Sequence, residues 1–363
     1  MAVLIFKPLE KCNSNCVYCD TITKKQEKVM GYDLLELLFK RIDEYLKSAP
    51  GENLVLTWHG GEMCLLGAEY FKKAYELQRE ICAETMGRIS HEAQSNLTLI
   101  DQEIIDVFKL FGMGSFGTSF DPLPGIRGYG AKRDSKTYNQ NFFRGVDLLE
   151  KNGMGWGPIY TVHRKALDCA PKVFHYLVNL NPSAPPKFNL VRAYGNEESE
   201  FAITEEEYAD FLGELFQIYW PHRDRFGSVQ PFQGYIDNIQ NPQSGLVCDM
   251  MGNCANQWLF VGPEGEAGHC GVAGDYKQFE YGNIQDLSFQ EILFDPKRDL
   301  LKQRQSELPQ GECGDCRYWR VCHGGCPVCA QLQHGTPLQR SPSCVSTKMF
   351  LEKYFEPITG LRF

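Results

Sequence analysis

The sequence predicts an α/β fold: a partial (β/α)6 TIM-like barrel, open on one side, with a smaller cysteine-rich subdomain behind it. Three observations carry the prediction. From residue 3 to about 195, short apolar runs alternate with longer helical patterns, as strand–helix units on a parallel sheet require. One more helical pattern, 203–220, then gives way to a stretch dense in Gly, Pro and Cys. The 363 residues suffice for one large domain with a smaller one attached. The expected organisation is a barrel over 1–200, a linking helix and bridge over 201–245, and the cysteine-rich part over 246–363.

The expected strands are VLIF (3–6), LVLTWHG (54–60), GRISHEAQS (87–95), FGTSFD (116–121), GWGPIYTVH (155–163) and FNLVRAYG (188–195). Amphipathic periodicity places helices over 32–48, 67–82, 101–112, 138–153 and 170–180, and the acid-rich start of 203–220 marks a sixth. QWLFVGPEGEAGHC (257–270) reads as a hairpin around PEGE. In parallel α/β sheets the loops at the C-terminal ends of the strands carry the chemistry.

Hydrophobic residues at 43% and charged residues at 23% are ordinary for a globular chain, and no apolar run approaches a membrane span. A net charge of −9 argues against nucleic acid as the main partner. The N-terminus lacks a basic n-region and reads as a first strand, not a signal peptide. Fifteen cysteines, clustered with short gaps and with no export signal, point to a reducing cytoplasm and to metal ligation.

Cys12, Cys16 and Cys19 lie directly after the first strand, in KCNSNCVYCD. Three thiolates around one loop, with no fourth ligand nearby, would hold a cubane iron–sulfur cluster with one iron open. A three-ligand zinc site or a loop of reduced thiols is the plainer alternative. The stretch closely resembles the cluster motif of the radical SAM superfamily, where S-adenosylmethionine chelates the open iron. The resemblance implies further contacts in order along the chain. TWHGGE (57–62) resembles the GGE motif, whose Gly60, Gly61 and Glu62 would meet the methionine amino group. QSN (94–96), with Ser95 and Asn96, resembles the Gln-Thr-Asn segment, and SFD (119–121) resembles Ser-Leu-Asp, with Ser119 at the ribose or carboxylate. Arg127 or Arg133 would pair the carboxylate, and Tyr18 would sit against the adenine.

Nine cysteines follow residue 247: Cys248, Cys254, Cys270, Cys313, Cys316, Cys322, Cys326, Cys329 and Cys344. Their ordered string, with Cys-x2-Cys-x5-Cys-x3-Cys at its centre, resembles the SPASM extension of radical SAM peptide-modifying enzymes, which carries two auxiliary [4Fe–4S] clusters. A pair of zinc ribbons is the alternative. By the family's pairing, Cys248, Cys254, Cys270 and Cys326 hold the inner cluster, and Cys313, Cys316, Cys322 and Cys344 the outer one, which makes three clusters in all. Cys329 is surplus or replaces a neighbour as ligand, and Cys64, Cys82 and Cys169 are packed or inert.

From residue 3 to about 350 the chain resembles anaerobic sulfatase-maturating enzymes and related ribosomal peptide maturases. Those sulfatase maturases carry a basic aspartate directly after the third inner-cluster cysteine; here that position is Gly271, with Asp275 and Tyr276 nearby. The departure points to a radical SAM/SPASM oxidoreductase that makes another oxidative change on a ribosomally made peptide or protein, a cross-link or an oxidised residue. Formylglycine formation with Asp275 as the base, and a small-molecule dehydrogenase, are the alternatives. The expected partners are the peptide substrate and an external electron donor of flavodoxin or ferredoxin type; because the chain opens on the strand itself, the peptide is expected either to be presented by a separate leader-recognition protein or to be held directly over the barrel mouth. Neither nucleic acid nor a membrane is expected.

Overall fold

The computed structural model describes residues 1–19, 27–191, 199–242 and 247–363. The six expected strands form as β1 (Ala2–Phe6), β2 (Leu54–Trp58), β3 (Ile89–Ala93), β4 (Ser115–Ser119), β5 (Gly155–Val162) and β6 (Lys187–Leu190). The six helices form as α1 (Tyr32–Ser48), α2 (Gly67–Ile81), α3 (Gln102–Leu110), α4 (Ser135–Lys151), α5 (Ala170–Asn179) and α6 (Glu205–Tyr219). The expected strand FNLVRAYG ends at Leu190, and its residues 192–195 lie outside the described residues. Side-chain caps set several helix starts that periodicity alone misplaces. Asp134 accepts from the Thr137 amide at 3.1 Å and starts α4 three residues early, while Thr204 and Glu207 close a capping box at α6.

By compactness the chain forms two units. The first comprises Met1–Ser119, Pro124–Trp156 and Ala255–Arg298; the second comprises Phe120–Leu123, Gly157–Cys254 and Asp299–Phe363. In the first, β1, β2 and β3 run parallel, and the expected hairpin appears as β7 (Trp258–Val261) and β8 (Glu266–Gly268). β7 pairs parallel to β1, and β9 (Glu280–Asn283) completes the sheet order β3-β2-β1-β7-β8-β9. Residues 255–298, grouped by their cysteine with the C-terminal part in the sequence, thus extend the first unit's sheet. Alternation buries Leu4 and Phe6 of β1 and Leu56 and Trp58 of β2 completely. Trp58 lies among Phe6, Phe71, Phe108 and Phe111, with ring centroids 5.2 to 6.1 Å away. Each such buried ring stabilises by roughly 1.5–3 kcal/mol.

In the second unit β5 and β6 pair in parallel, with Tyr160 opposite Phe188. α6 packs on the helix Cys344–Phe350, and Phe216, Phe232, Phe350 and Phe355 share a ring cluster. Among the described residues no helix is long and apolar enough to cross a membrane.

Candidate active site

The chain leaving β1 passes against the TWHGGE turn. His59 N donates to Phe6 O (2.8 Å), Gly61 N to Leu9 O (3.2 Å) and Glu62 N to Lys11 O (2.9 Å). A Cβ on Gly60, whose φ is +135°, would stand 2.4 Å from Leu9 O; one on Gly61 would stand 2.3 Å from the carbonyls of Glu10 and Lys11. Only glycine permits that approach. The two glycines therefore fix the entry to the cysteine loop.

Cys12, Cys16 and Cys19 are respectively half-buried, buried and exposed. Cys12 Sγ accepts the Ser14 amide at 3.3 Å. Burial pushes the Cys12 thiol up to about 11, the Ser14 hydrogen bond pulling the other way. Asn96 Nδ2 donates to Asn13 Oδ1 (2.7 Å) and Ser14 Oγ (3.2 Å), and Asn15 N and Val17 N donate to Gly128 O and Ile126 O. The loop is thus tied to the end of β3 on one side and to 126–128 on the other.

The motif residues meet, though not all in the expected way. Glu62 is buried, and its carboxylate accepts from Ser95 Oγ (2.8 Å), Asn96 N (2.7 Å) and Cys64 N (3.1 Å). The sequence suggests a carboxylate offered to an ammonium; instead both oxygens already join the ends of β2 and β3. Burial raises the Glu62 carboxyl above its ordinary range against those three hydrogen bonds. Ser119 Oγ accepts from Gln94 Nε2 at 3.4 Å. Asp121 of the same tripeptide belongs to the second unit, where its Oδ2 is 2.8 Å from the buried His163 Nε2.

Buried Arg127 directs its guanidinium at two hydroxyls, Tyr138 (2.8 and 3.0 Å) and Tyr18 (3.0 Å), and it faces the charge of Cys16. Arg133 has φ +50° and donates Nε to Asn15 O at 3.1 Å, while its terminal nitrogens find no partner among the described residues. The donor set fits a thiolate-bound cluster: three thiols on one tethered loop, with a buried cation to offset their negative charge.

None of the fifteen cysteines forms a disulfide. In the second unit Cys313, Cys316, Cys322 and Cys344 act on one another electrostatically, and burial pushes the Cys322 thiol up to about 12. Cys254 and Cys326 face Arg304. Cys329 is buried and acts on Glu205, whose carboxyl burial raises to about 7. Cys270 lies in the first unit, at the start of the short helix Gly271–Asp275. Among the described residues no three His, Cys, Asp or Glu side chains gather closely enough to hold a single metal ion.

That short helix carries the residue the sequence reading missed a partner for. Asp275 Oδ1 is 2.5 Å from Nζ of Lys7, whose side chain is 3% exposed against 12% for the aspartate. Lys7 continues β1 by donating its amide to Val261 O, and its ammonium also lies 5.7 Å from the Phe260 ring. A lone lysine at the C-terminal end of the first barrel strand is the signal that could have found it. A Cβ on Gly271 would stand 3.3 Å from Ile5 and 3.9 Å from Lys7 Cε. Positions 271 and 275 lie four apart on one helix face, so both address the same lysine. Tyr276 follows, its amide bonded to Val272 O.

The SPASM family model, an iron–sulfur cluster-binding domain, matches residues 248–317. A cysteine-type anaerobic sulfatase-maturating enzyme of Clostridium perfringens is 26% identical over 97% of this chain and 96% of its own length. Over nearly its whole length the chain is thus similar to anaerobic sulfatase-maturating enzymes, and it carries a SPASM-type iron–sulfur cluster-binding domain. A serine-type anaerobic sulfatase-maturating enzyme of Bacteroides thetaiotaomicron is likewise 26% identical, over 87% of this chain and 80% of its own. The structure of anSMEcpe with bound AdoMet and the Cp18Cys peptide superposes on this chain with TM-score 0.85 at 25% identity, covering 99% of this chain and 98% of that one. SuiB of Streptococcus suis bound to the precursor peptide SuiA shares the fold, with TM-score 0.62 at 14% identity over 94% and 75%.

Proposed function

We propose that this protein oxidises a cysteine or serine side chain of a peptide or protein to formylglycine, with Asp275 as the base. The observation that carries this reading is the Lys7–Asp275 pair. It puts a carboxylate against the lysine that a residue-271 side chain would also approach, so the departure at Gly271 moves the base by one helical turn instead of removing it. Full-length likeness to both cysteine- and serine-type sulfatase maturases supports it.

In this reading Cys12, Cys16 and Cys19 hold the first cluster, the C-terminal cysteines hold two auxiliary clusters in the sets given above, and S-adenosylmethionine binds over the loop that Gly60 and Gly61 fix. When bound, these groups supply a hydrogen-abstracting 5′-deoxyadenosyl radical and take up the electron left on the substrate. The chain's own part is the proton: Asp275, held by its pair with Lys7, accepts it from the substrate Sγ–H or Oγ–H, and a thioaldehyde formed from cysteine then exchanges its sulfur for the oxygen of water, releasing hydrogen sulfide. Arg133, with its terminal nitrogens open, is the better partner for the cosubstrate carboxylate, and Arg127 with Tyr18 and Tyr138 supports the loop beneath.

The second reading is a cross-link on a ribosomally made peptide, favoured by the absence of a carboxylate at Gly271 itself. The deciding experiment is anaerobic turnover of a Cys-x-Pro-x-Arg peptide by the reconstituted enzyme with dithionite and S-adenosylmethionine. Formylglycine in the product supports the first reading. 5′-Deoxyadenosine formed without any aldehyde would turn the assignment to the second. An electron donor of flavodoxin or ferredoxin type, and a separate protein presenting the substrate, are further parts of this proposal.

A further inference from the structure

The helix Lys297–Gln310 delivers Arg304 into the second unit, where the residue is 3% exposed. Its guanidinium donates to four backbone carbonyls: Gly324 (2.9 Å), Gly325 (3.1 Å), Gln339 (2.7 Å) and Pro337. Gly324 and Gly325 both take left-handed backbone, φ +77° and +73°, and a Cβ on Gly324 would stand 3.2 Å from the guanidinium itself. The turn they make joins Cys322 to Cys326. Cys322 belongs to the outer cysteine set and Cys326 to the inner one. The arginine therefore grips the backbone at the point where the two sets meet in the chain.

Among the described residues no carboxylate pairs with this cation. The negative charges it feels are those of Cys326, Cys254, Cys313 and Cys322, two from each set. Carbonyl dipoles satisfy its N–H groups but leave a full positive charge in a buried place, and such a charge is costly unless an anion balances it. In the two-cluster reading, eight thiolates around two iron–sulfur clusters would supply that anion. A buried cation beside a cluster favours its reduced, more negative state and so raises its reduction potential.

We propose that Arg304 is the shared counter-ion of both auxiliary clusters, a positioning residue that holds the Cys322–Cys326 turn and raises both reduction potentials together. The inference rests on the two-cluster reading of the C-terminal cysteines but not on the substrate or on the identity of the base.

The test uses the full chain, reconstituted anaerobically, as wild type, Arg304→Lys and Arg304→Met. Iron and sulfide content and the potentials of the auxiliary clusters, followed by electron paramagnetic resonance in a redox titration, are the readouts. Lysine keeps the charge but loses the fork to four carbonyls; methionine keeps the bulk and loses the charge. Support is a shift of both auxiliary potentials to more negative values in Arg304→Met with Arg304→Lys close to wild type, or loss of auxiliary iron in Arg304→Met alone. Equal loss of iron in both variants would assign the residue a purely structural clamp and overturn the proposal. Full iron with unmoved potentials in Arg304→Met would overturn it too. A wild-type chain that takes up iron only at the first site would overturn the two-cluster reading, and this inference with it.

Discussion

Nζ of Lys7 and Oδ1 of Asp275 stand 2.5 Å apart, although 268 residues separate them in the chain. The contact exists because β7 pairs beside β1 and the hairpin from β7 to β8 returns the chain to a one-turn helix over the same strand end. The nearly buried ammonium pairs with the carboxylate and fixes an acceptor oxygen at the C-terminal end of β1, where proton abstraction needs one.

Replacing Asp275 with Asn should therefore separate the two halves of the reaction. Cleavage of S-adenosylmethionine is expected to continue, while oxidised product falls by about 10²- to 10⁴-fold, the usual contribution of a positioned base. Adding Gly271→Asp to that variant restores a carboxylate on the same helix face, toward Lys7, and should recover part of the product yield. Parallel assays of 5′-deoxyadenosine and of modified peptide check both points. Undiminished product from Asp275→Asn would remove the aspartate from the mechanism.

On the proposed ligand sets, the cysteines should divide by task. Alanine at Cys12, Cys16 and Cys19 together should abolish 5′-deoxyadenosine production, because the open-iron site is lost. Alanine at Cys313 or Cys344 should spare part of the cleavage and lose the product. Equal cleavage by the triple variant and the wild type is the outcome that contradicts the assignment of the first site.

The arginines should separate as well. On the proposed pairing of Arg133 with the cosubstrate carboxylate, Arg133→Ala removes a charge-assisted pair worth about 1.5–3 kcal/mol, so the affinity for S-adenosylmethionine should fall by roughly tenfold to a hundredfold while iron content holds. Arg127 is buried against Tyr18 and Tyr138 and faces Cys16, so Arg127→Ala should lower the first site's iron content before any binding measurement is possible. Iron analysis with equilibrium dialysis of the cosubstrate tells the two patterns apart.

Much of this was legible in the sequence, and the gaps have physical causes. Strand and helix positions follow from periodicity, and α1 matches its expected span of 32–48 because its apolar face is unbroken. The cysteine strings are local in sequence and could be read as such. What spacing could not give were contacts made by sheet pairing: β7 against β1, Lys7 against Asp275, and Glu62 turned to Ser95 and Asn96 instead of outward. Arg304 was equally out of reach, since four carbonyls leave no pattern in a sequence. The sequence also favoured a cross-link over formylglycine on the strength of Gly271. Position alone could not say that a carboxylate one turn later reaches the same lysine.

A final expectation concerns acid. Trp58 Nε1 donates to His91 Nδ1 at 3.0 Å, and the His91 ring lies 4.5 Å from that of Phe111. Among the described residues the other ring nitrogen, Nε2, is buried without a partner. A second proton would have to go on Nδ1, facing the indole N–H, so burial lowers the imidazole to about 3 from its ordinary 6.5. Between those values the unfolded chain binds more protons than the folded one. The stabilising contribution is complete above pH 6.5 and falls away as the pH drops toward 3. At pH 5 the loss amounts to about 2 kcal/mol. His91→Gln keeps an oxygen for the indole N–H and does not titrate, so its stability relative to wild type should improve by that amount between pH 7.5 and pH 5. Denaturation midpoints of the two proteins at both pH values measure it, and because both have the same cysteines, acid effects on any bound iron cancel. A constant difference between them across that range would mean that His91 does not govern the acid limb.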